Sequence, residues 1–151
     1  SGTTRAAMMF LSNFLCSFGR TGQLDISSRY LSGGCVRVSQ NSSVTDCLRR
    51  GGAVVVRLYL LDDPHYILLT GVDGERIYAF DPYLLEEPLP EADIVVTDAH
   101  PYRYNRIIPF SYFNRTGHTQ YALGETSGRE AVLLFNTHTE LTEEKTIEYI
   151  I

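Results

Sequence analysis

A histidine and an aspartate at the two ends of an apolar hairpin can move a proton and hold the ring that moves it. In DDPHYILLTGVDGERIYAFDPY, residues 62–83, His65 heads one strand-like run and Asp81 closes the next. An imidazole can take a proton from a nucleophile and return it to a leaving group. A carboxylate on its other ring nitrogen fixes tautomer and orientation. Singly, His65 reads as a turn histidine after Asp63-Pro64, and Asp81 as the start of an Asp-Pro turn. Together, at one end of a tight hairpin, they read as two members of a nucleophile–base–orienter set.

The elements that must position this pair follow from the pattern around it. AVVVRLYLL (53–61) is rich in β-branched residues and too uniformly apolar for an edge, so it predicts a central strand. DDP breaks that strand and HYILLTGV (65–72) follows as its partner. Asp73-Gly74 is a hairpin signal leading into a third strand over 76–80, which Asp81-Pro82 ends. These three form an antiparallel meander. Upstream, Thr4 to Phe18 is apolar around most of its circumference, with Ala6, Met9, Phe10, Phe14 and Leu15 prominent, and predicts a buried helix. TGQLDISSRYLSGG predicts a short second helix ending at Gly33-Gly34. SSVTDCLRRGG predicts a two-turn helix capped by Ser43 and stopped at Gly51. Downstream, 82–103 predicts loop, RIIPFSYFN a short strand or edge segment, REAVLLFN (129–136) a strand and TIEYII a terminal strand. Helices first and hairpin-linked strands after give an α+β domain spanning 1–151, an N-terminal helix on an antiparallel sheet.

The segment HYILLTGVDGERIYAFDPY resembles the His–Asp block of the double-glycine, bacteriocin-processing group of papain-like cysteine peptidases and their bacterial peptidase-like relatives. That family opens its nucleophile helix on Cys-Gly-Pro followed by an Ala/Met-rich run, and SGTTRAAMM looks like this motif with Ser1 for the cysteine and Thr3 for the proline. The resemblance runs from Ser1 to about Tyr83, with LRRGGAVVVRLYL matching the strand before the histidine. It implies a papain-like fold, an amide or acyl bond as target, and a triad of Ser1, His65 and Asp81. It further implies a peptide or amide-bearing small substrate and no cofactor. A nucleophile at a helix N-terminus faces unpaired amides and the positive dipole end, which lower a thiol pKa. A serine hydroxyl does not pre-ionise, and the glutamine that the family places before its nucleophile has no counterpart ahead of Ser1. Three origins of Ser1 stay open: an engineered or truncated cysteine site, a natural pseudoenzyme that grips a peptide without cleaving it, or a terminal nucleophile using its own amine.

Composition narrows the alternatives. The formal net charge of −5 argues against nucleic acid, which needs clustered Lys and Arg. Arg49-Arg50 is the nearest basic cluster and reads as a match to a helix C-terminus. Cys16, Cys35 and Cys47 form no pair and no metal spacing, so free thiols in a reducing, cytoplasmic setting are expected, Cys35 the most accessible. His100, His118 and His138 lie in polar stretches without HxxxH or HExxH spacing, which argues against a metal site. No apolar run approaches the ~20 residues that span a bilayer. The opening SGTTRAAMMF lacks an initiator methionine, an expectation of residues once upstream.

Overall fold

Alternation at period two dictates the centre of the molecule: from Val54 to Leu58, every second residue is buried and those between are half-buried. The computed structural model describes residues 3–10, 26–85 and 88–136. Residues 5–10 are helical (α1). There follow β1 (Ile26–Ser32), α2 (Ser43–Arg49), β2 (Ala53–Leu60), β3 (Asp63–Asp73), β4 (Arg76–Phe80), β5 (Val95–Val96), β6 (Arg106–Pro109), α3 (Phe110–Phe113) and β7 (Glu130–Asn136). The strands form one seven-stranded antiparallel sheet in the order β1-β7-β2-β3-β4-β6-β5. The protein is therefore α+β with few helices, and β2 lies centrally as its composition required.

One sheet face carries Val54, Val56, Leu58, Ile67, Leu69 and Ile77, all buried, and α2 packs across it at β2, β3 and β7. The backbone of β2 starts close under α2. A Cβ on Gly52 would lie 2.6 Å from Cys47 Sγ and 2.7 Å from the Leu134 carbonyl oxygen, so only glycine fits. Cys47 is buried, and burial pushes its thiol up to about 11, while Cys35 is exposed. No described helix is long and apolar enough to cross a membrane.

Several expectations are corrected. ISSRYLS forms β1, not the end of a second helix, because its whole length pairs with β7 from Ile26↔Asn136 to Ser32↔Glu130. Ladder pairing with a long apolar neighbour overrides a weak helical pattern. Gly33–Cys35 is a 3-10 turn after that strand. α2 is capped by Ser42, one residue before the expected Ser43, with Thr45 completing the reciprocal box. Of residues 5–10 only Met8 is buried, and Phe10 is 68% exposed, so this part of the helix is not enclosed as its sequence suggested. RIIPFSYFN divides into β6 and α3, and a two-residue strand, β5, interrupts the 82–103 loop. The remainder of the expected N-terminal helix, with Cys16, and the expected terminal strand TIEYII lie outside the described residues.

Asp62-Asp63-Pro64 does not break the hairpin. The turn is Leu61-Asp62, both with positive φ (50° and 70°), and β3 already begins at Asp63 opposite Leu60. Two left-handed residues match the twist of a two-residue hairpin without the usual Asn-Gly. Pro64 is tolerated because the backbone of its partner Tyr59 bonds the other way, N–H to the Ala122 carbonyl and C=O from the Tyr121 amide. No ladder bond is asked of a proline there.

Candidate active site

Strand alternation places His65 on the face of Ile67 and Leu69, and Tyr66 on the opposite one. Whether Asp81 shares the face of His65 depends on register. At the hairpin end β3 and β4 pair as Val72↔Ile77 and Gly71↔Tyr78. Carried on unbroken, that register would set Asp81 opposite Leu68, on the face of Tyr66. A bulge between Leu69 and Gly71 shifts the pairing to Leu69↔Ala79 and Leu68↔Phe80. Asp81 then continues opposite Ile67, diagonally beside His65, because a one-residue shift exchanges the faces of every residue beyond it. The Thr70 hydroxyl donates to the Tyr78 carbonyl across the bulge at 3.3 Å. A glycine inside the strand, Gly71, is the sequence signal for this feature.

The two side chains meet. His65 Nε2 lies 2.7 Å from Asp81 Oδ1; the imidazole is 22% exposed and the carboxylate 0%. An ionised carboxylate only accepts, so Nε2 carries the hydrogen and Nδ1 is the basic nitrogen. Among the described residues Nδ1 has no hydrogen-bond partner. Oδ1 also accepts from the Tyr83 amide at 2.9 Å, and Oδ2 accepts from the Tyr121 hydroxyl at 3.0 Å. Burial pushes the Asp81 carboxyl up, but the bonds from His65, the Tyr83 amide and Tyr121 outweigh it and hold the group below the usual carboxylate range.

A second ring of contacts holds the carboxylate in place. Asn105 clamps the backbone of residue 81, accepting from its amide and donating to its carbonyl, both at 2.8 Å. Buried Arg106 donates from Nε to the Tyr121 oxygen at 3.2 Å and from Nη2 to the Tyr83 carbonyl at 3.0 Å. Its guanidinium thus places a positive charge one hydroxyl away from the buried carboxylate. Burial and proximity to Asp81 raise the Tyr121 hydroxyl pKa, so it stays a neutral donor. Tyr121 reaches this position with φ +57°, and Gly124 beyond it must be glycine, since a Cβ would lie 2.5 Å from the Tyr59 ring. The Tyr83 ring stands edge-on to His65 at 6.3 Å, a partly exposed wall beside the imidazole.

Sequence reasoning pointed to His65 and Asp81 and missed Tyr121, Arg106, Asn105 and Tyr83. Arg106 left one sign, a cation sharing the inward alternation of Ile108. Tyr121 left none, because it arrives from an irregular segment. Ser1 lies outside the described residues. On α1, Arg5 Nε pairs with Glu130 Oε2 at 2.8 Å. Glu130, buried, also accepts from the Tyr30 hydroxyl at 2.9 Å and from the Tyr66 hydroxyl. Since Tyr66 points away from His65, Arg5 is held on the other face of the sheet.

His100 packs on Tyr104 and His118 stacks on Tyr59 at 4.0 Å; neither approaches the His65–Asp81 pair through a described contact. His138 lies outside the described residues. Among the described residues no group of three or more His, Cys, Asp or Glu is arranged to hold a metal ion. Compared with known proteins, the chain matches no protein-family model, no curated protein and no solved structure.

Proposed function

We propose that the chain is a papain-like domain of the double-glycine peptidase type, acting on an amide or acyl bond of a peptide or small substrate. The observation that supports this above all is the 2.7 Å bond between a partly exposed imidazole and a fully buried carboxylate. A bulge, a backbone clamp and a buried tyrosine–arginine pair all act to keep that carboxylate there. In this reading Ser1 stands at the nucleophile position. His65 Nδ1 takes the nucleophile's proton as its oxygen bonds the carbonyl carbon, then gives that proton to the leaving amine. Water deacylates the enzyme by the same route in reverse. Asp81 stays ionised and holds the ring.

A second reading, a degenerate peptidase domain that binds a peptide without cleaving it, is favoured by the Arg5–Glu130 pair on the opposite face. The test is acylation of a Ser1→Cys variant by p-nitrophenyl acetate. A competent site gives a hydroxylamine-labile acetyl group on residue 1, formed about 100-fold or more slower once His65 is alanine. Acetylation that is indifferent to His65→Ala would remove the hydrolase reading and leave the binding one.

A further inference from the structure

Gln120 carries a buried donor that no group of the described chain meets. The residue is 8% exposed, its Oε1 accepts from the Leu61 amide at 3.3 Å, and its Nε2 has no hydrogen-bond partner. The Leu61 bond fixes which way the carboxamide faces, since turning it over would set donor against donor. Two N–H groups are thus held out of water unmet, at a position where an apolar side chain of similar size would avoid the desolvation penalty.

The surroundings indicate what they are kept for. The pairs Leu58↔His65 and Leu60↔Asp63 set the last rung before the Leu61-Asp62 turn two strand positions, roughly 7 Å, beyond the His65 rung. Exposed Asp62 and Asp63 flank the turn and repel an anionic acceptor, so a neutral carbonyl suits the neutral donor.

We infer that Gln120 Nε2 binds a neutral amide carbonyl of an extended ligand whose other end lies at the His65–Asp81 pair. This makes Gln120 a specificity-determining residue, and the inference rests on that pair being a site for amide substrates. The experiment is a titration of ¹⁵N-labelled protein with N-acetyl-trialanine amide, and separately with acetate, following the Gln120 side-chain amide pair and the His65 ring. The expected result is a saturable shift of both groups with the neutral peptide and none of the Gln120 pair with acetate. In Gln120→Leu the His65 response should weaken by about tenfold in Kd, the value of one buried hydrogen bond. A His65 response without movement of the Gln120 amide would overturn the inference while leaving the proposed site intact. A shift of the Gln120 pair by acetate would overturn the neutral-carbonyl assignment, and silence of both groups would overturn the inference altogether. The wild-type titration decides even if Gln120→Leu does not fold, and the Ser1→Cys acylation above judges the underlying site separately.

Discussion

Tyr121→Phe removes a single oxygen atom and leaves its ring in place, so it isolates what the buried hydroxyl does for Asp81. That oxygen donates to Asp81 Oδ2 at 3.0 Å and accepts from Arg106 Nε at 3.2 Å. Losing a bond to a charged, buried carboxylate is worth about 1.5–3 kcal/mol. The Arg106 Nε–H loses a buried partner too, at about 1 kcal/mol, although Nη1 and Nη2 keep the Asn105 and Tyr83 carbonyls. The variant should therefore be destabilised by about 3 kcal/mol, with no cavity contribution because the ring volume hardly changes. Urea denaturation of wild type, Tyr121→Phe, Asp81→Asn and the double variant measures both the loss and its origin. With asparagine at 81 the tyrosine has no charge to serve, so the same change should be milder by about 1–2 kcal/mol. An equal loss in both backgrounds would show that the hydroxyl does not act through the carboxylate. A loss under about 1 kcal/mol would refute the buried network as a support for the site.

The pH dependence of Asp81 follows from the sign of its shift. Its folded pKa is depressed, so its contribution to stability is complete above the unfolded carboxylate value of about 3.9 and is lost as pH falls through the lower folded one. Asp81→Asn should thus be less stable than wild type by about 2 kcal/mol near neutrality, with the gap closing as pH falls below the unfolded carboxylate value of about 3.9; denaturation curves across this range would contradict the assignment by a constant gap. Gly71→Val puts a Cβ 3.1 Å from the Tyr78 ring at the bulge. It should destabilise by about 1–3 kcal/mol and separate His65 from Asp81, read as a changed His65 ring spectrum, whereas an unchanged spectrum would show that the bulge does not govern the pairing.

How far the sequence revealed this arrangement depends on whether a signal was local. The β2–β3–β4 meander was legible because alternation, β-branching and Asp73-Gly74 are all written within a few residues of one another. His65 and Asp81 were legible as strand-end residues for the same reason. Their place at one end of the hairpin was legible too; the device that puts them on one face was not, since a one-residue bulge decides which face Asp81 takes. β1 was misread because ISSRYLS has little strand character until β7, a hundred residues away, pairs along its whole length. Asn105-Arg106 and Tyr121 support Asp81 from two segments 24 to 40 residues downstream, and no spacing rule connects them to it.

Hydrolysis by this site requires a nucleophile at residue 1 within reach of His65 Nδ1. The most direct measurement is the pH profile of alkylation by iodoacetamide in a Ser1→Cys variant, resolved by peptide mass spectrometry against the exposed Cys35. Residue 1 should react at least about tenfold faster than Cys35 below pH 7, because a thiolate beside an imidazole persists there, and His65→Ala should abolish the advantage. Residue 1 reacting no faster than Cys35, with or without His65, would contradict it.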